Sequence, residues 1–339
     1  MNELLRPDDT RDALRKIGAL LFGIGVLMLL LRKATIAGDY SRGVVLIILL
    51  VPAALFYAGG VLTERATGGL RAWQTVYGVL GYIFVTLVLI QLVDTIDEGS
   101  SSNSLNIAWI FGVVAALGFY VGAIKGIRFQ LLLGGLALIV AWSALWNKIL
   151  SDGIGAHYGV YRGLLGILAI GLLAGALYLW RTNPGGDNAA HTATRPGGDI
   201  SLWKASELLT AAGVSAVIAC SLGVTSVVNL NPLATTSVQP IETTTLWDIL
   251  LLVISLGLVG LGSLIGVRGP VYVGAIGLFF FLVNAGFDLD SDTPDPTKLG
   301  GWPIVLLILG GLGIGLSLVR EASLGDGPRR FVENLRRGG

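Results

Sequence analysis

The side chains that could do chemistry are few in this sequence, and most lie near the ends of long apolar stretches. Glu207 and Asp248 each fall in the predicted first turn of such a stretch. An acid there favours the helix dipole and caps orphan amides, so capping or interfacial solvation is favoured over a substrate role for both. Asn284 lies deep in a later stretch, with Gln130 and Gln91 nearer the ends of theirs, and a buried amide usually bonds a neighbouring helix. Glu207, Asp248 and Asn284 are the candidate functional positions, because polar groups are costly inside a membrane.

Three acids at alternate positions have the spacing of a calcium-binding loop: Asp288, Asp290 and Asp292. Calcium loops between two helices also need Gly at the sixth position and Glu at the twelfth, where this sequence has Thr293 and Leu299. The departure favours a solvated acidic loop over a weak divalent-cation site. No cofactor is predicted.

Catalytic motifs do not appear in the sequence. The two histidines, His157 and His191, fall in a predicted outer loop and a predicted inner linker, so they cannot converge. There is no zinc-binding His-Glu-x-x-His helix and no Gly-x-Ser-x-Gly elbow, and Cys220 is not paired with a histidine. A net charge of +1 without basic-aromatic runs argues against nucleic acid as a partner. We therefore predict that the protein is not an enzyme.

The elements that position these residues are predicted to be membrane-spanning helices. The 339 residues are 53% hydrophobic and 13% charged, which excludes an ordinary soluble domain. A span needs about 20 apolar residues, and this predicts an all-α bundle of ten transmembrane helices. They are Ile17–Leu31, Val44–Leu62, Trp73–Val93, Leu105–Ile124, Phe129–Trp146, Gly163–Trp180, Leu208–Val228, Ile249–Val267, Val271–Phe287 and Trp302–Val319.

Orientation follows from the basic residues, because cytoplasmic segments carry an excess of Lys and Arg. With ten spans, most Lys and Arg fall inside if both termini are cytoplasmic. One loop dissents, since Arg32, Lys33 and Arg42 would lie outside. The sequence thus predicts a multi-pass protein of the cell membrane with both termini in the cytoplasm.

A four-helix unit is predicted to occur twice, in parallel orientation, at an offset of 140 residues (Gly122 to Gly262). Glycines four apart let helix backbones approach closely, which is how helices associate in lipid. The alternative is the general abundance of Gly in membrane helices. The glycines assigned to helix packing are Gly118, Gly122, Gly126, Gly171, Gly175, Gly262, Gly266, Gly311 and Gly315.

This organisation divides the chain into five segments. They are a tail with a two-helix hairpin (1–66), a first repeat (67–181), a Pro- and Gly-rich cytoplasmic linker (182–200), a second repeat (201–320) and a basic tail (321–339). Arginines alternate with apolar residues in the last segment, which suits either a short helix on anionic lipid or a solvated tail that fixes topology.

Two classes of function are consistent with these patterns. Coupled transport normally needs buried carboxylates, histidines or broken helices at midplane, and Pro52 is the only proline deep within a predicted span. We therefore expect a non-catalytic membrane-embedded assembly or scaffold component, in contact with the bilayer and with further copies or other membrane proteins. The alternative is a permease or channel for small or apolar solutes that is not coupled to protons.

Overall fold

The structure is a computed structural model that describes residues 7–36, 41–62, 72–127, 129–150, 157–182, 200–227 and 245–287. These residues are helical apart from short connections, with no strand among them. In chain order the helices are α1 (Pro7–Ile36), α2 (Arg42–Tyr57), α3 (Ala72–Ile96), α4 (Ser104–Tyr120), α5 (Gln130–Ile149), α6 (Tyr158–Thr182), α7 (Ile200–Val227), α8 (Thr245–Ile265) and α9 (Arg268–Phe287). Helices α2 and α4 each end in a π-helical turn, at Ala58–Leu62 and Val121–Lys125.

Seven of the described helices, α2 to α8, are long and apolar enough to cross a membrane. This agrees with the predicted helical membrane bundle. Helix α1 contains the first predicted span but extends beyond it at both ends, and the apolar part of α9, Arg268–Leu282, is shorter. The tenth predicted span, Trp302–Val319, lies outside the described residues, so ten spans remain a prediction.

The described residues fall into two compact units, residues 1–219 and 220–339. In the first, α2 and α3 form a hairpin and α1 packs on α3 around Phe56 and Phe84, whose rings stack with centroids 5.7 Å apart. Glycines bring these backbones together: a Cβ on Gly81 would lie 2.9 Å from the amide nitrogen of Tyr57. Apolar side chains alone gain little by leaving lipid, so such close contacts carry the association.

Arg42, one of the basic residues that the prediction places on the outer side, forms an ion pair and hydrogen bonds at one end of the first unit. Its guanidinium pairs with Glu98 and donates to the carbonyl oxygen of Asp94 at 3.3 Å. The loop after α3 therefore lies at the same end as the start of α2, as alternating spans require. Nearby, Asn147 donates to the Ser104 hydroxyl at 2.8 Å and accepts from the Tyr161 hydroxyl at 3.3 Å.

The predicted sidedness can be tested with single cysteines at opposite ends of the first unit, in a Cys220→Ser background. Ser101→Cys, in the loop after α3, should react with an impermeant thiol reagent on intact cells, and Thr182→Cys, at the end of α6, only after lysis. The reason is the excess of Lys and Arg on the cytoplasmic side. Labelling of position 101 only after lysis would contradict the predicted orientation and indicate the opposite one.

Candidate functional site

Helices α4 and α5 are in close contact next to the turn that joins them. A Cβ on Gly118 would lie 2.7 Å from the Cα of Gly134, and one on Gly122 would lie 2.8 Å from the amide nitrogen of Leu131. Such distances leave no room for a side chain, so the two backbones are in contact. Two of the glycines assigned to packing from their spacing, Gly118 and Gly122, thus lie in a helix-helix contact.

The backbone of this turn is unusual in two further ways. Gly126 follows the π-helical turn with φ 62°, and Phe129 has φ 67°, both in the left-handed region. Glycine adopts that conformation at no steric cost, whereas for a residue with a Cβ it costs about 1–2 kcal/mol. The side chain of Phe129 is about half exposed, so its own packing does not offset that cost. Another interaction must hold the turn.

That interaction comes from Glu207 on α7. One carboxylate oxygen accepts from the amide of Phe129 at 2.6 Å, and the other accepts from the amides of Leu131 and Leu132 at 3.2 and 3.4 Å. Phe129 is the N-cap residue of α5, and Leu131 and Leu132 lie in its first turn, so these amides have no partner within the helix. The helix dipole also favours a negative charge there, and Phe129 provides no side-chain cap. Glu207 therefore caps α5 from a different helix.

Lys204 completes the arrangement, because it lies three residues before Glu207 and so on the same face of α7. Its ammonium donates to the carbonyl oxygen of Ala123 at 2.7 Å, in the π-helical turn that ends α4. A cation stabilises the negative end of a helix as an acid stabilises the positive end. The pair Lys204 and Glu207, here called the α7 clamp, therefore binds both sides of the α4–α5 turn with opposite charges.

Further along, α7 makes close contacts with α5 and α6. A Cβ on Gly135 would lie 2.5 Å from the Cβ of Ala211, and the Ser215 hydroxyl donates to the carbonyl oxygen of Leu165 at 2.9 Å. Its membrane-length segment is 61% buried, against 22–33% for the other six. Helix α7 is thus the most enclosed of the seven, which gives its polar groups a mainly internal role.

The prediction that Glu207 lies in the first turn of its helix is wrong. Helix α7 begins at Ile200, so Glu207 lies beyond the first turn and does not cap its own helix. Asp248 does lie in the first turn of α8, as predicted. Asn284 lies on α9, and its side chain is outside the described part, as are Asp288, Asp290, Asp292, Gly311 and Gly315 in full. Among the described residues, no three His, Cys, Asp or Glu side chains form a metal-binding group.

The glycines assigned to the end of the first repeat differ from those in the α4–α5 turn. A Cβ on Gly175 would lie 3.5 Å from a methyl of Leu208, an ordinary contact. Gly171 is exposed, and no atom of the described residues lies within 4 Å of the position of its Cβ. The spacing of Gly171 and Gly175 therefore does not by itself indicate close backbone contact within the described residues.

The second unit contains the hairpin α8–α9, in which two of the assigned glycines lie, Gly262 and Gly266. A Cβ on Gly262 would lie 3.0 Å from the amide nitrogen of Val271. Gly266 has φ 75°, and the amide of Val267 donates to the carbonyl oxygen of Gly262 at 2.8 Å. This is a Schellman ending, in which glycine supplies the left-handed residue after the helix.

Two features of the site were not found from the sequence. Gln130, noted as an amide near a helix end, is 2% exposed, and Lys204 bonds a carbonyl 81 residues away in the chain. Hydropathy does not predict either feature, because both depend on how the turn that contains Gly126 and Phe129 packs against other helices.

Comparison with known proteins adds no assignment: no protein family, curated protein or solved structure matches this chain. The residues that the structure describes are helical apart from short connections, and seven of their helices are of membrane-spanning length.

We predict opposite effects of Gly→Ala at two assigned glycines. Gly118→Ala inserts a methyl between touching backbones and should lower the free energy of unfolding by about 1–3 kcal/mol. Gly171→Ala enters open space in a helix and should raise it by about 0.5–1 kcal/mol. Unfolding of the detergent-solubilised protein, followed by tryptophan fluorescence, compares the two. Equal effects of one sign would contradict the packing role of Gly118.

A second prediction concerns the clamp. Glu207→Ala removes the acceptor of three amides and should lower the free energy of unfolding by about 1–3 kcal/mol, the usual cost of leaving buried donors unbonded. Glu207→Gln, which keeps one carbonyl oxygen, should lose less.

The matched control is Glu98→Ala, which removes an exposed acid at the opposite end of the unit. Exposed ion pairs contribute about 0–1 kcal/mol, so that variant should unfold close to wild type. A Glu207→Ala protein as stable as Glu98→Ala would show that the capping bonds do not stabilise the turn.

Proposed function

We propose that this protein is a non-catalytic, membrane-embedded assembly or scaffold component of the cell membrane. The observation that carries the proposal is the set of hydrogen bonds from the α7 clamp to the backbone of the α4–α5 turn. The carboxylate of Glu207 accepts from the amide of Phe129 and from two amides of α5, and the ammonium of Lys204 donates to a carbonyl of the π-helical turn that ends α4. Ionisable groups within a membrane protein usually serve transport or catalysis, and these hydrogen bonds instead favour a role in helix packing.

A proton-coupled carrier would need a titrating group that is alternately exposed to the two sides of the membrane. Glu207 is 9% exposed, and moving it away would leave its three amide partners without their acceptor. Releasing these bonds costs about 1–3 kcal/mol, the usual cost of leaving buried donors unbonded. This cost supports a fixed structural role over an alternating one.

We further propose ten spans with an internal parallel repeat. Support comes from equivalent contacts at the 140-residue offset in the two hairpins, each taken within its own unit. A Cβ on Gly134 would lie 3.1 Å from both the oxygen of Ala115 and the nitrogen of Phe119. One on Gly274 would lie 2.6 Å from the oxygen of Ser255 and 3.0 Å from the nitrogen of Val259. The left-handed glycines that follow α4 and α8, Gly126 and Gly266, are also equivalent.

The partners we propose are the bilayer itself and further copies or other membrane proteins, with anionic lipid at the basic tail 321–339. Both termini are proposed to be cytoplasmic. The outward face of α6 supports such contacts, because Ile167, Ile170 and Tyr178 are each more than 60% exposed. In a bilayer that face contacts acyl chains or another helix.

A second candidate, an uncoupled permease for small or apolar solutes, is favoured by a different observation. A crevice among α2, α3, α4 and α5 is lined mainly by apolar side chains, with Gln130 as its buried amide. Tyr57 and Tyr82 also line the crevice, and the open space within it is about 10 Å³, so passage of a solute would require the four helices to separate.

Liposome reconstitution separates the two candidates. A scaffold should show no solute-dependent proton flux with a pH-sensitive dye, and no swelling in glycerol or urea above that of empty liposomes. Solute entry that Gln130→Leu abolishes would promote the permease. Proton flux that Glu207→Gln abolishes would overturn both candidates.

A positive result for the scaffold is a fixed stoichiometry. Native mass spectrometry of the protein extracted in lipid nanodiscs should give a constant ratio of this chain to a further copy or to one other membrane protein. A solitary chain at native expression would contradict the scaffold proposal.

A further inference from the structure

Gln130, the first residue of α5, lines a small cavity among four helices of the first unit. Tyr57, Gly78 and Tyr82 also line it, together with apolar side chains of α3 and α4. The space open to the centre of a water molecule is about 10 Å³. That is about the volume that one water needs and too little for a larger solute.

The amide of Gln130 has an unsatisfied donor. Its side chain is 2% exposed, and no acceptor among the described residues bonds its Nε2. A buried donor without a partner costs about 1–3 kcal/mol, and the great majority of such groups in proteins bond either protein or ordered water. Nε2 lies close to Gly78, where a Cβ would be 3.2 Å from it.

Tyr82 also lines the cavity and offers an acceptor. Its hydroxyl donates to the carbonyl oxygen of Leu133 at 2.8 Å, so its remaining lone pairs can only accept. A small ligand in the cavity can therefore accept from the amide of Gln130 and donate to the phenol oxygen of Tyr82. Water meets these requirements, whereas a cation has no anionic ligand among the lining residues and an apolar solute would leave Nε2 unsatisfied.

We propose that this cavity binds one structural water molecule, which accepts from Nε2 of Gln130 and donates to the hydroxyl oxygen of Tyr82. The site lies beside the two π-helical turns, whose residues Val61 and Val121 pack on Ile127. The bound water links the start of α5 to α3, next to the π-helical turns that end α2 and α4. The site does not depend on the proposed scaffold function.

X-ray hydroxyl-radical footprinting of the protein in lipid nanodiscs tests the site, because radicals generated from a bound water modify the side chains beside it. In wild type, Tyr82 should be modified well above Phe84, which is 0% exposed in the same helix and does not line the cavity. Gln130→Met removes the amide at similar length, and modification of Tyr82 should then fall to the level of Phe84. The matched control is Gln91→Met, which changes an amide near the C-terminal end of α3 that does not line the cavity. It should leave the modification of Tyr82 unchanged.

A brief exchange into H₂¹⁸O before exposure distinguishes bound from bulk water without any variant. Oxygen added at Tyr82 should remain ¹⁶O longer than oxygen added at Tyr178, which is 66% exposed on α6. Modification of wild-type Tyr82 no greater than that of Phe84 would show a dry cavity and overturn the proposal. Simultaneous ¹⁸O labelling of Tyr82 and Tyr178 would show an open crevice and overturn it equally.

Discussion

The capping of α5 by the carboxylate of Glu207 is the interaction on which the rest of the first unit depends. Close contact of Gly118 with Gly134 pulls the α4–α5 turn inward, and Ile127, Gln130 and Leu131 become buried with it. The first amides of α5 are then shielded from water, and lipid offers them no acceptor. An acceptor must come from the protein, and α7 supplies it.

The same constraint accounts for two further polar side chains of α7. Lys204 bonds a carbonyl of the turn and Ser215 a carbonyl of α6. Small residues such as Ala211 let that backbone approach. Glu207, Lys204 and Ser215 of α7 therefore bond the backbone of the α4–α5 turn and of α6. These bonds are the physical basis for proposing an assembly role rather than transport.

The sequence could predict the parts of this account that depend on local pattern. Apolar length predicted the seven described helices of membrane-spanning length, and two of the glycines assigned to packing, Gly118 and Gly122, lie in a close contact of α4 with α5. Identical spacing at Gly171 and Gly175 gave no such contact among the described residues, because spacing shows that two glycines share a helix face but not what that face meets. The three amide partners of Glu207 lie 75–78 positions away in the chain, and only the tertiary arrangement reveals them.

Backbone hydrogen exchange at residues 129–132, measured by mass spectrometry in nanodiscs, tests the capping of α5 most directly. In wild type these amides should exchange slowly, because Glu207 accepts three of them. In Glu207→Ala they should exchange markedly faster, while residues 137–141 in the interior of α5 keep their protection. Unchanged protection at 129–132 in the variant would contradict the account.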